Sequence, residues 1–193
     1  MELKGKTLAA IAALFVLAGV ILIVMSRGTQ MLPHPATEEM TEEPPPVAAG
    51  DKAADFKLED LTGKTVSLSS YKGKVVFLNL WATWCGPCRE EMPSMETLYD
   101  EFKNDPDFVM LAVSQDTKGK SAVLPYVQKN GYHFEILLDP ENKVGEQYNV
   151  SGVPETFIID RKGRIVAHHM GAFDWSRPDV KEALQQLLQA KQG

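Results

Sequence analysis

Hydrophobic and polar positions divide the chain into three regimes. From Leu8 to Met25 the sequence is apolar residues, Ala and Gly without a charge. As a helix rising 1.5 Å per residue this stretch reaches about 27 Å, close to the ~30 Å hydrocarbon core of a bilayer. The next two dozen residues contain Pro33, Pro35, Pro44, Pro45 and Pro46 with Glu38, Glu39, Glu42 and Glu43 between them. That composition buries too little apolar surface to fold alone. Beyond it the pattern becomes that of a globular α/β domain. Asp55–Leu58 and Thr65–Leu68 flank the turn Leu61-Thr62-Gly63-Lys64 and predict an N-terminal hairpin. Val75 to Trp84 is a continuous apolar run suited to a strand buried on both faces. Met95, Leu98, Tyr99 and Phe102 then recur at helical spacing, with Pro93 predicting a kink.

Further strands are predicted at Phe108–Val113, Phe134–Leu138, Thr156–Asp160 and Arg164–His169. Helices are predicted at Ser121–Asn130, closed by Gly131 with Pro125 in its first turns, and at Pro178–Ala190, where Val180, Leu184, Leu187 and Leu188 share a face. The organisation expected is therefore a cytoplasmic N-terminus at 1–7, a transmembrane signal-anchor at 8–25, a disordered linker at 26–49 and one folded domain at 50–193. Lys4 and Lys6 favour a cytoplasmic start, Arg27 opposes them, and the balance exports the domain. A cleaved signal peptide is the alternative, because Ser26-Arg27-Gly28 is a small-x-small site; the apolar run is longer than a usual signal core, and no cysteine follows to carry a lipid. Both readings place the domain outside the cytoplasm. An extended linker would reach on the order of 60 Å from the membrane.

The formal net charge is −6 and the exported part has no basic cluster, which argues against nucleic acid as a partner. The chain has two cysteines, Cys85 and Cys88, at the end of the buried strand and the start of a helix. The first sulfur of such a pair sits at the helix N-terminus, where unpaired N–H groups and the macrodipole favour the thiolate. Structural zinc needs ligands the chain lacks: there is no second cysteine pair and no His-x₃₋₅-His. A bridge over so short a loop is also a poor structural staple, since it removes little entropy from the unfolded chain. A redox-active dithiol is the reading that remains. Adjacent His168 and His169 point to opposite faces of a strand and do not converge on one ion.

Trp84-Cys85-Gly86-Pro87-Cys88, Pro93 and Gly152-Val153-Pro154 before the strand Thr156–Asp160 together resemble the thioredoxin superfamily. Lys72-Gly73-Lys74, Trp81-Ala82-Thr83-Trp84, Arg89-Glu90-Glu91-Met92-Pro93 and Val153-Pro154-Glu155-Thr156-Phe157 narrow this to the membrane-anchored TlpA/ResA/DsbE-type thiol-disulfide oxidoreductases. The fold implied is α/β and thioredoxin-like, with an N-terminal β-hairpin and a central insertion carried by Ser121–Leu138, preceded by one transmembrane helix. The resemblance implies a disulfide between Cys85 and Cys88, with Cys85 as nucleophile and Cys88 as the resolving thiol. It implies a cis Pro154, with the Val153 backbone pairing to an extended substrate beside Gly86 and Pro87. Trp84 is expected to shield the nucleophile at the surface, while for Trp81 a place in the core is an equal alternative to a role at the site.

No cofactor is implied. The partners implied are protein disulfides, among them the cysteine pair of apocytochrome c during cytochrome c maturation, and a membrane thiol-electron donor that recharges a reductase in an oxidising compartment. The Gly-Pro pair between the cysteines resembles the reducing end of the superfamily. Plain thioredoxins carry a buried Asp six residues before the first cysteine, where this chain has Asn79. An amide cannot accept the proton of the second cysteine, and Glu91, three residues after Cys88, is the substitute expected; a solvated glutamate like Glu90 is the alternative. Two other classes of function stay open: a redox-independent chaperone or binding module, and a peroxiredoxin-like peroxidase, although the Pro-x₃-Thr/Ser-x₂-Cys context of the latter is missing before Cys85.

Overall fold

The computed structural model describes residues 49–190. The anchor expected at 8–25 and nearly all of the linker lie outside these residues. Among the described residues no helix is long and apolar enough to cross a membrane.

The chain forms β1 (Lys57–Asp60), β2 (Thr65–Ser67), β3 (Val75–Trp81), α1 (Gly86–Phe102), β4 (Phe108–Ser114), α2 (Lys120–Asn130), β5 (Glu135–Leu138), α3 (Lys143–Gln147), β6 (Glu155–Ile159), β7 (Ile165–Met170) and α4 (Pro178–Gln189). The seven strands make one mixed sheet in the order β2-β1-β5-β4-β3-β6-β7. β3 and β4 are parallel, as are β4 and β5, which the helical crossovers α1 and α2 require. β6 and β7 continue the sheet antiparallel beyond β3. The expected insertion, α2 with β5, falls between β4 and β6; its strand joins the β1–β2 hairpin to the sheet through the pairs Glu59↔Leu138 and Asp60↔Leu137.

The uninterrupted apolar run at β3 follows from burial on both faces. Val75, Phe77 and Trp81 pack with Met92, Met95, Leu98 and Phe102 of α1 and Leu184 and Leu188 of α4. Val76, Leu78 and Leu80 pack on the other side with Phe56, Val144, Tyr148 and Phe157. Asn79 is the polar exception, fully buried and on the α1 side by strand alternation. α1 continues through Pro93, whose missing N–H leaves the Arg89 carbonyl without its usual helical donor.

The hairpin differs from the sequence expectation in one respect. Its first strand lies two residues later, at Lys57–Asp60, because Asp60 organises the turn: its Oδ1 accepts the Thr62 N–H at 2.7 Å and the Lys64 N–H at 3.0 Å. Asp55, expected in the strand, instead accepts the Ser69 N–H at 2.8 Å and ties down a 3-10 turn at Leu68–Tyr71. Gly63 has φ +90°, in the left-handed region that glycine enters without strain. The short helix α3 has no counterpart in the sequence reading. His168 and His169 lie on opposite faces: the first stacks on Phe157, and the second packs at a tilt against Phe173.

Candidate active site

Beyond Trp81 the backbone turns, with Cys85 N–H donating to the Ala82 carbonyl at 3.1 Å, and Cys85 becomes the N-cap of α1. Its Sγ accepts the Cys88 N–H at 3.1 Å. One of the orphan donors at the helix N-terminus is therefore spent on this sulfur. Pro87 occupies the first turn, where its missing N–H costs nothing. Cys85 and Cys88 are joined by a disulfide with Cα atoms 5.3 Å apart. Cys88 is fully buried, and Cys85 is 5% exposed.

The Val153–Pro154 bond is cis, as the resemblance implied, and the Val153 carbonyl oxygen lies 3.4 Å from Cys85 Sγ. The fold thus brings Cys85, Cys88, Val153 and Pro154 together, although 68 residues separate the sulfur from the carbonyl beside it. Gly86 sits in the first turn of α1 facing open space. Trp84, 67% exposed, stands out from the surface next to Cys85, whereas Trp81 is entirely buried.

Asp116 holds the segment that leads into the dithiol. Its carboxylate accepts the Thr83 N–H at 2.9 Å, the Thr83 hydroxyl at 2.6 Å and the Ser114 hydroxyl at 2.8 Å, and the residue is only 4% exposed. Asp116→Ala strands these donors, and a loss of about 2–4 kcal/mol of stability in urea unfolding is expected. A loss within ~0.5 kcal/mol would mean that water replaces the carboxylate and that the clamp is dispensable.

Glu91 lies one turn beyond Cys88 and is not a solvated glutamate: it is 2% exposed, while Glu90 beside it is exposed. Its Oε1 accepts the Asn79 side-chain N–H at 2.9 Å; its Oε2 accepts the Phe173 N–H and the Trp175 indole N–H, each at 3.1 Å. Asn79 also donates to the Thr156 hydroxyl, while its Oδ1 has no partner among the described residues. Burial pushes the Glu91 carboxyl above its ordinary range; the bonds from Trp175, Asn79 and Phe173 oppose the shift. A second carboxylate, Glu155, follows Pro154 directly. It bonds His168 and is also pushed up by burial, against the influence of that histidine.

Asp116, Phe173 and Trp175 were not singled out in the sequence, and Thr83, Thr156, Glu155 and His168, named there in motifs or as a histidine pair, were given no part in this network. The available signal was indirect. A glutamate assigned to the buried side of a helix needs N–H donors, and Trp175 is the only indole beyond the two around the dithiol.

A mixed sheet with a Cys-x-x-Cys disulfide at the strand-to-helix turn and a cis-proline loop against it defines a thioredoxin-like thiol-disulfide oxidoreductase. Comparison with known proteins agrees. The AhpC/TSA family pattern matches residues 49–168, so the chain belongs to that family. It is 38% identical over 141 residues to the thiol-disulfide oxidoreductase ResA of Geobacillus kaustophilus (strain HTA426), covering 73% of this chain and 79% of that one. It is 39% identical over 120 residues to ResA of Bacillus subtilis (strain 168), covering 62% and 66% of the two chains. Among solved structures, a Chlorobium tepidum protein assigned as thiol:disulfide interchange protein DsbE is similar with a TM-score of 0.63 and 37% identity, over 74% of this chain and 96% of that one.

Proposed function

We propose that the protein is a membrane-tethered reductase of protein disulfides whose catalytic domain works outside the cytoplasm, with the cysteine pair of an apocytochrome c as its substrate. The observation that carries the redox reading is the capping of Cys85 Sγ by the Cys88 N–H at the mouth of α1, against the Val153 carbonyl. In the reduced protein the same N–H and the helix dipole stabilise a Cys85 thiolate. That thiolate attacks one sulfur of a substrate disulfide. The substrate S–S bond breaks, a mixed disulfide forms, and the first substrate thiolate leaves and takes up a proton. Cys88 then gives its proton to Glu91, directly or through one water, and attacks Cys85. The bond between Cys85 and the substrate breaks, the second substrate thiolate leaves and takes up the proton held by Glu91, and the protein is left with the Cys85–Cys88 disulfide. Substrate gains two electrons from the dithiol and two protons, one from Cys88 and one from solvent, so a membrane thiol donor must return the two electrons.

The segment Val153–Pro154 offers backbone to an extended substrate, with Gly86, Pro87 and the exposed Trp84 around it. Support for a reducing direction comes from the Gly-Pro pair and from the buried Glu91, whose negative charge disfavours a second thiolate near it. Apocytochrome c and the anchor at 8–25 rest on the resemblance and on the apolar run.

Protease treatment of spheroplasts, followed by equilibration of the recovered protein with reference dithiols, tests both halves. A cell-bound, protease-accessible domain with a potential close to the ~−270 mV of thioredoxin is expected. A soluble form lacking its N-terminus would overturn the anchor, and a potential near the ~−120 mV of DsbA would reverse the direction. Turnover of hydrogen peroxide by the isolated protein would favour the peroxidase alternative.

A further inference from the structure

A carboxylate as buried as Glu91 stays charged only if the protein supplies donors for both oxygens. Asn79 serves Oε1. Both N–H groups on Oε2 come from one loop, the stretch between β7 and α4. That loop is fixed at three points. Gly171, at φ +89°, turns the chain and donates its N–H to the Pro154 carbonyl at 2.8 Å. The Trp175 N–H donates to Ser94 Oγ at 3.0 Å, and the Ser94 hydroxyl donates to the Glu91 carbonyl at 2.7 Å. The Trp175 indole packs edge-on against Phe77 with ring centroids 4.8 Å apart. The loop therefore rests on the cis-proline segment at one end and on the dithiol helix at the other.

We propose that Trp175 is a positioning residue for disulfide exchange: its indole N–H holds the Glu91 carboxylate in place one turn from Cys88 and so sets the pH range in which the resolving thiol is deprotonated. The proposal rests on the reading of Glu91 as the proton acceptor. An indole N–H suits this task because it donates and never accepts, so it rewards the charged carboxylate. Hydrogen bonds to charged groups are the stronger kind, and this one opposes the burial of the carboxyl together with those from Asn79 and Phe173. Since Gly171 bonds Pro154, the acceptor and the backbone offered to substrate share one support.

The titratable and charged groups around this centre are few. Helix α1 contributes Cys85, Cys88 and the exposed Glu90. β7 contributes His169, whose ring lies 4.6 Å from Phe173 and 5.7 Å from Trp175. The loop contributes Asp174 and Arg177, the latter 5.3 Å over the Phe173 ring. β3 and β6 present the uncharged Asn79 and Thr156. His169 is the imidazole nearest this loop, so His169→Gln is the control for it.

The test uses the full-length protein in detergent and a chromogenic mixed disulfide on Cys85, so that release of the chromophore reports attack by Cys88. Trp175→Phe keeps the ring against Phe77 and deletes the donor. The midpoint of the pH–rate profile for release is expected to move up by about one unit, which is a ~10-fold slower release below that midpoint and recovery at alkaline pH. The rate of the first attack by Cys85 should be unchanged, and Trp175→Phe should add nothing to Glu91→Gln. Benzothienylalanine at 175, an isostere without the N–H, should reproduce the shift if Trp175→Phe perturbs the fold. A uniform slowing with no shift of midpoint, or an equal effect in the Glu91→Gln background, would reduce Trp175 to packing. An inert Glu91→Gln would instead remove the acceptor reading, and the proposal with it.

Discussion

Cys88→Ser turns the protein into a trap. With Cys85 alone the first step proceeds, because its thiolate keeps the helix N-terminus, but nothing resolves the mixed disulfide. Substrate proteins should accumulate on Cys85 in non-reducing gels, and turnover should fall by at least about a thousandfold. Cys85→Ser should lose turnover to the same degree and trap nothing. In the reduced wild type at mildly acidic pH, Cys85 should be alkylated at least ~10-fold faster than Cys88. The structure supplies the cause: Cys85 caps α1, while Cys88 is enclosed in the core and exposed to no solvent. Trapping by Cys85→Ser would reverse the two roles.

The parts of the molecule that were legible in the sequence share one property: their cause is local. β3 announces itself because a strand covered on both faces must be apolar at every position, and Val75 to Trp81 is, except at Asn79. The dithiol turn is equally plain, since Cys-Gly-Pro-Cys joins that strand to the helical spacing of Met95, Leu98 and Phe102. Glu91 is legible as a candidate from the resemblance, which leaves Asn79 where thioredoxins carry an acid, together with its helical spacing from Cys88. What makes it different from Glu90 is not: the donors to its carboxylate come from Asn79, 12 residues before, and from Phe173 and Trp175, 82 and 84 residues after. Asp116 was hidden for the same reason, as its partner Thr83 is 33 residues away. The first hairpin strand lies two residues later than predicted because the side chain of Asp60 takes the turn, a contest between two aspartates that alternation of polarity does not decide. The short α3 has a weak local signal; Asp139 accepts the Lys143 and Val144 N–H groups at its start, a cap reaching forward from outside the helix.

Glu91→Gln should slow resolution of the mixed disulfide by about 10²–10⁴-fold, while the first attack by Cys85 stays near its wild-type rate. Cys88 is buried, and burial raises a thiol's pKa, so its proton needs an acceptor close by. Glutamine has the shape of glutamate but takes no proton. The same substitution has a signature in stability. The folded-state pKa of Glu91 is raised above 4.5 by burial. Below that value both folded and unfolded chains hold the proton, and the charge makes no demand on the fold. As pH rises through the raised folded value, the folded state must carry a buried carboxylate that the unfolded state solvates freely, and stability is lost. Glu91→Gln escapes that loss, so its stability relative to wild type should be smallest near pH 4 and grow toward pH 8. The amide can also reuse the site, because Trp175 and Phe173 still find a carbonyl oxygen and the unpartnered Asn79 Oδ1 is available to its NH₂ after a flip of the Asn79 amide. Glu90→Gln is the control, exposed and outside the network. A Glu91→Gln variant that resolves at the wild-type rate with a pH-independent stability difference would return Glu91 to a structural hydrogen-bond acceptor between α1 and the β7–α4 loop.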